Sequence, residues 1–178
     1  MAVNVKSMTS VAMMTALMCL LGPVMIPVGP IPFSLQVLTV CLSVSVLGMK
    51  RGTLAVLLYL LIGFAGLPVF AGFSGGPATL LGPTGGFLAG FLPLALIGGW
   101  FVSRFRNSGA MQFVGMALGL AVLYGLGTAW LVFSSGLAWG KALKVAVYPF
   151  VLVDTVKVLM ALFFGKIIRK RLNLDAAR

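Results

Sequence analysis

The chain alternates long apolar runs with short breaks that are either basic or rich in glycine and proline. The runs extend from about Met8 to Met25, Phe33 to Gly48, Thr53 to Phe70, Thr84 to just short of Arg104, Met111 to Phe133, and Pro149 to the basic tail of Lys166, Arg169, Lys170 and Arg171. A helix rises about 1.5 Å per residue, so about 20 apolar residues cross a hydrocarbon core of about 30 Å. Six such runs predict an all-α integral membrane protein, a bundle of six transmembrane helices, with the second helix short. Pro149 suits a first helical turn. Between the fifth and sixth runs, SSGLAWGKALK is amphipathic and predicts an interfacial segment anchored by Trp139, with Lys141 and Lys144 as its charges.

Two breaks carry no charge. Pro23 to Pro32 reads PVMIPVGPIP, and Gly66 to Phe87 reads GLPVFAGFSGGPATLLGPTGGF. Glycine and proline at that density argue against a helix interior. So few polar side chains would also make a poor solvated linker. The Gly66 to Phe87 stretch is therefore expected to pack back against the protein, as the lid and part of the wall of a ligand site.

Composition agrees with the pattern. Hydrophobic residues make up 61% of the 178 and charged residues 8%, and mean hydropathy is +1.15; soluble domains hold about 45 to 50% apolar and about 25% charged residues. One membrane domain covering residues 1–178 is the natural organisation. The net charge of +11 does not imply nucleic-acid binding, because the cations sit in small clusters between apolar runs instead of on one polar segment. Those clusters read as topology signals. With six crossings and a cytoplasmic N-terminus, Lys6, Lys50, Arg51, Arg104, Arg106, Lys166, Arg169, Lys170, Arg171 and Arg178 all lie inside, and Lys141 and Lys144 lie outside. That bias places both termini in the cytoplasm. Cys19 and Cys41 fall within apolar runs and read as buried thiols, not a disulfide. The run after Lys6 is too long for the apolar segment of a cleaved signal peptide.

Candidate chemistry concentrates in the last helix. Asp154 is one of two acidic residues in the chain, and Lys157, three positions on, projects from the same helix face. Either charge at the membrane centre costs about 2.5 to 3.5 kcal/mol, so the pair should face protein or water. Counted from Pro149, Asp154 lies about 8 Å and Lys157 about 12 Å along the helix, in the outer half of the membrane. As a ligand site, Asp154 accepts from N–H donors and Lys157 donates to a carbonyl or carboxylate; as a structural pair, the two neutralise each other. At Thr84, Gly85, Gly86 and Phe87 the fourth helix begins on the same side. There Thr84 can cap, the glycines permit close backbone approach, and free N–H groups favour an acceptor. Gly75, Gly76, Phe70, Gln36 and Tyr148 complete the candidate lining, with the aromatics packing by default. Ala12 and Ala16, four apart on the first helix, let another helix approach closely, within the bundle or on a partner. The chain has no phosphate-binding loop of the GxxxxGK[ST] type, no histidine and no cysteine cluster, which argues against ATP hydrolysis, a metal site or paired-carboxylate catalysis.

GLPVFAG at Gly66 to Gly72, GPTGGF at Gly82 to Phe87 and PFVLVDTVK at Pro149 to Lys157, in that order, resemble the BioY family of biotin transporters. The Pro-rich loop followed by Ser34 to Gln36, and the run MKRGTLAVLLYLLIGFAG, resemble it too, so the likeness covers nearly the whole chain. These proteins are the substrate-binding S components of energy-coupling factor (ECF) transporters. The resemblance implies six transmembrane helices in a bacterial-type plasma membrane, biotin as the transported ligand with no cofactor, and partnership with a transmembrane coupling protein and two ATPase subunits. By position, Asp154 and Lys157 resemble the family's polar binding residues, Thr84, Gly85 and Gly86 its helix-four start, and Ala12 and Ala16 its docking motif. Phe87 stands where the family usually has Tyr, and Leu152 and Val153 where Pro-Gly is common.

Three other readings compete. An S component for riboflavin or thiamine would share the architecture and differ in the ligand bound. A small intramembrane enzyme using Asp154 and Lys157 would turn its substrate over, and a structural subunit would bind nothing.

Overall fold

A computed structural model describes residues 5–27 and 33–171, the Lys6 side chain apart. Arg178 and the middle of the first Pro-rich loop, residues 28–32, lie outside the described residues. Seven α-helices are described: α1 (Val5–Leu21), α2 (Gln36–Phe64), α3 (Pro77–Leu81), α4 (Gly85–Arg104), α5 (Gly109–Ser135), α6 (Trp139–Ala146) and α7 (Tyr148–Arg171). A short antiparallel pair, β1 (Met25–Ile26) with β2 (Phe33–Ser34), closes the base of the first loop.

The first expected run is cut short. α1 stops at Leu21, because Pro23 cannot continue a helix and biases the residue before it away from helical geometry. Met25 instead enters β1, and Leu35 donates its N–H to Val24 O at 3.1 Å, which carries the chain back towards the bundle.

The second and third expected runs form one element with a sharp reversal. Gly48 has φ 76° and ψ −171°, a combination open essentially to glycine alone. At about 1.5 Å per residue, Gln36 and Tyr59 would lie more than 30 Å apart on a straight helix. Gln36 Nε2 nevertheless donates to Tyr59 OH at 2.7 Å. Nearer the tip, a Cβ on Gly52 would come within 2.7 Å of Val44 Cα. The two limbs of α2 are thus an antiparallel hairpin in contact. The third run also ends earlier than expected, at Phe64, where the glycine-rich stretch begins.

By length and composition, α2, α4 and α5 are long and apolar enough to cross a membrane. α1 is shorter, and α7 carries the buried Asp154 and Lys157 before its basic end. Buried Val40, Val44, Val56, Tyr59, Leu94, Met116, Leu123 and Val158 join α2, α4, α5 and α7 in one core. A smaller cluster of Leu131, Ala142, Ala146 and Phe150 seats α6 on α5 and α7. Many large apolar side chains point outward, among them Leu61, Leu118, Phe133, Leu152, Leu159 and Phe163. In water such a surface would drive aggregation; against lipid it is solvated.

Two contacts order the bundle end to end. Met49 N donates to Ser103 Oγ at 2.9 Å, and Arg169 Nε donates to Val46 O at 3.3 Å. The α2 tip, the end of α4 and the end of α7 therefore meet, and with them Lys50, Arg51, Arg104, Lys170 and Arg171. The glycine-rich stretch, the start of α4 and the start of α7 lie at the other end.

Candidate functional site

The glycine-rich stretch is folded, not loose. Gly66 turns with φ 104°, Phe70 bridges to Ser74, residues Ala71–Phe73 make a 3₁₀ turn, and α3 follows. Two backbone hydrogen bonds and one from a side chain fix it to the bundle: Gly76 N to Gly63 O at 2.7 Å, Gly72 N to Pro23 O at 3.0 Å, and the indole Trp130 Nε1 to Gly82 O at 2.8 Å. Within it, Val69 and Phe70 turn inward and are buried while Phe73 and Leu81 face outward. The stretch covers the bundle end, as its apolar composition requires.

Beneath it lies a cavity of about 130 Å³. α2 contributes Gln36 and Val37, the covering stretch Phe70, Ala71, Ser74 and Thr79, and the α4 end Thr84, Phe87, Leu88 and Phe91. Leu123 and Tyr124 come from α5, Ala146 from α6, Phe150, Asp154 and Lys157 from α7, and Ser34 from β2. Most of the wall is apolar and aromatic, with polar side chains set among it and one charged, strongly polar region, a composition suited to a small-molecule site.

Asp154 and Lys157 form that polar region. Lys157 Nζ lies 2.8 Å from Asp154 Oδ1 and also donates to Ser34 O at 2.8 Å. The second carboxylate oxygen, Oδ2, accepts from Tyr124 OH at 2.8 Å. Asp154 is 2% and Lys157 8% exposed, burial that is tolerable because each charge is paired and hydrogen-bonded further. An ammonium has three donors and a carboxylate about four acceptor positions, so both groups keep hydrogen-bonding capacity while facing the cavity.

The other expected residues divide. Thr84, Phe87, Phe70 and Gln36 line the cavity with the charged pair. Gly85 and Gly86 are buried in packing, against Leu80 O and Trp130 respectively. Gly75 lies against Leu67 O, and Gly76 makes the tether to Gly63. Tyr148 is 65% exposed and outside the lining. The expected Thr84 cap does not form, since its side chain makes no capping hydrogen bond. Gly85 N and Phe87 N are taken by Gly82 O and Thr84 O at 3.0 and 3.1 Å, so these N–H groups are not free for an acceptor.

Several lining residues had no signal in sequence. Tyr124 sits in an uninterrupted apolar run, and its role depends on α5 crossing α7. Phe150 stacks on Phe33 with ring centroids 4.3 Å apart, a pairing made by the β1–β2 return. A tyrosine hydroxyl in a transmembrane run needs a partner, the one clue that could have singled out Tyr124.

Ala12 and Ala16 are exposed on α1, in line with exposed Met8, Met13 and Leu20. The opposite face of α1 is turned inward: Thr15 Oγ1 donates to Ala55 O at 3.2 Å and Met18 is buried. The small-residue pair thus lies on the outer surface, not in helix packing within the bundle.

The sequence model described as the BioY family matches residues 1–174. Among curated proteins, the chain is 40% identical over 165 residues to a biotin transporter BioY of Thermotoga maritima, covering 93% of this chain and 96% of that protein. It is 38% identical over 159 residues to the biotin transporter BioY2 of Lactococcus lactis subsp. cremoris, covering 89% and 87%. Among solved structures, it is similar to the S-component for biotin from an ECF-type ABC transporter, with a TM-score of 0.86 and 30% identity over 93% of this chain and 92% of that one.

Proposed function

The chain belongs to the BioY family, and on that premise we propose that it is the S component that captures biotin for an ECF transporter and presents it for uptake. It is a membrane transport protein and not an enzyme, and biotin is its cargo, with no cofactor needed for binding.

One observation carries the ligand assignment: a paired carboxylate and ammonium, each with unused hydrogen-bonding capacity, stand on the wall of a mostly apolar cavity. Biotin's ureido group offers two N–H donors and a carbonyl, and its thiophane ring is apolar. Asp154 is suited to accept from the N–H groups and Lys157 to donate to the carbonyl. Phe70, Phe87, Phe91 and Phe150 supply apolar contact for the rings. The pair is neutral overall, matching the neutral ureido head without burying an unbalanced charge.

Orientation follows from charge. Lys50, Arg51, Arg104, Arg106, Lys166, Arg169, Lys170 and Arg171 gather towards one end, and the exposed Lys141 and Lys144 of α6 lie at the other. Basic residues stay cytoplasmic, so the cavity opens outward and the C-terminal end of α7 lies inside. The two limbs of α2 count as two crossings, which with α1, α4, α5 and α7 gives six and puts both termini in the cytoplasm. Uptake then requires an energised partner. The exposed Ala12 and Ala16 face of α1 is suited to a helix of a transmembrane coupling protein that works with two ATPase subunits.

Binding of labelled biotin to the detergent-purified chain tests the reading. Saturable binding, displaced by unlabelled biotin and not by riboflavin or thiamine, is the expected result. Tight binding of either other vitamin with none of biotin would overturn it.

A further inference from the structure

The cavity lysine connects to the covering stretch through buried polar groups that do not all line the cavity. Lys157 Nζ donates to Ser34 O at 2.8 Å, and Ser34 Oγ donates to Gln36 Oε1 at 3.1 Å. Gln36 Nε2 donates to Tyr59 OH at 2.7 Å, and Tyr59 OH donates to Val69 O at 2.9 Å. Each step in this series is of hydrogen-bonding length. Tyr59 is 0% exposed and absent from the lining.

Tyr59 also fixes the next residue of the covering stretch. Its ring meets Phe70 edge to face, with centroids 5.6 Å apart at 87°. Phe70 in turn packs so closely on Gly63 that a Cβ there would enter its ring. One buried hydroxyl therefore holds the backbone at Val69 while the ring beneath it seats Phe70, a cavity wall. At the other end of the series, Gln36 orients Ser34, whose carbonyl holds Lys157.

We propose that Gln36 and Tyr59 are positioning residues for ligand retention, which tie the covering stretch to the ammonium of the site so that the lid and the polar wall hold their geometry together. This rests on the biotin-capture reading for its ligand. The tether itself is a property of the ligand-free chain. In the membrane interior the hydroxyl of Tyr59 has no water to replace a lost partner, and removing it leaves Gln36 Nε2 and Val69 O unpaired. The packing of its ring would be preserved in Tyr59→Phe.

The test pairs two readouts on Tyr59→Phe and Gln36→Leu in detergent. Amide hydrogen exchange of residues 66–76 in the ligand-free protein should rise in Tyr59→Phe by at least about threefold, the scale of one lost hydrogen bond. Release of bound labelled biotin should accelerate by a similar factor in both variants, with the association rate little changed. Unaltered exchange in residues 66–76 together with an unaltered release rate in Tyr59→Phe would overturn the proposal. Failure of the unsubstituted chain to bind biotin would instead sink the ligand assignment, and the exchange readout would still decide the tether. If Tyr59→Phe does not fold, Gln36→Glu decides. It draws the Tyr59 proton away from Val69 O while keeping the Ser34 contact, so exchange should rise there too, and unchanged exchange would again overturn the proposal.

Discussion

Tyr124 on α5 donates its hydroxyl to Asp154 on α7 across 2.8 Å, at the carboxylate oxygen that Lys157 does not occupy. The acid is thereby held from two helices, with its remaining acceptor positions turned to the cavity. A merely neutralised ion pair would not need that third group. Nor would it need to border a cavity lined by Phe70, Phe87, Phe91 and Phe150.

Substitutions at the pair should abolish tight binding and leave the bundle inserted. Asp154→Ala and Lys157→Ala are each expected to weaken biotin binding more than tenfold, at least about 1.4 kcal/mol. Asp154→Asn keeps the shape and an acceptor for Tyr124 but exchanges one acceptor for a donor, so it should fold normally and bind as weakly as the alanine variant. Calorimetry on the monodisperse fractions measures this; wild-type affinity in Asp154→Asn and Lys157→Ala would remove the pair from the site.

Tyr124→Phe separates positioning of the acid from its charge. The ring stays in place, while Oδ2 of a buried carboxylate loses a donor at a cost of about 1 to 3 kcal/mol. That cost should appear partly as a lower melting temperature and partly as weaker biotin binding. Binding loss should be smaller than in Asp154→Asn. A variant matching wild type in both measurements would show that the hydroxyl holds nothing.

How far the sequence could be read depends on the range of the interactions. The apolar runs, the buried Asp154 and Lys157 and the packed glycine-rich stretch were legible, because burial of charge and exclusion of backbone from lipid are local constraints. The break between the second and third runs was placed near Gly48 by the run lengths and by Lys50 and Arg51 after it, but the sharp reversal at one glycine within a single hairpin was not foreseen. Tyr124 and Phe150 were missed as site residues because their roles arise where α5 and β2 meet α7, contacts with no local pattern. Tyr148 and Gly86 were read as lining by their nearness in sequence to the site. A helix turns about 100° per residue, so Tyr148 points outward while Phe150, two residues on, faces in.

Gly48 gives a prediction about stability independent of ligand. Its φ of 76° with ψ −171° is closed to a residue with a Cβ, at a cost of about 1 to 3 kcal/mol, and Met49 directly after it bonds to Ser103 on α4. Gly48→Ala should lower the melting temperature in detergent, whereas Gly109→Ala, where no atom lies within 4 Å of a new Cβ, should not. Equal melting temperatures for both variants would mean that the hairpin reverses by another backbone path.

Ala12→Leu and Ala16→Leu address docking. Both positions are exposed on α1 beside Met13 and Leu20, so larger side chains there meet no neighbour within the chain and biotin binding should be unchanged. Close approach by a partner helix would be blocked. Co-purification with the coupling protein and ATPases should fall in each variant, and undiminished complex formation in the double variant would assign docking to another surface.

The outward-facing cavity is the premise of capture, and labelling of single cysteines decides it. Phe73 is 70% exposed at the covered end, and Arg171 ends α7 at the basic end. In a Cys19→Ala background, with Cys41 fully buried and unreactive, Phe73→Cys should react with a membrane-impermeant maleimide in intact cells. Arg171→Cys should react after lysis alone if, as the positive-inside bias of the cations around it implies, that end lies in the cytoplasm. A charge-bearing reagent that modified Arg171→Cys from outside and left Phe73→Cys untouched would turn the cavity inward. The protein could then not collect its ligand from the medium, whatever its affinity.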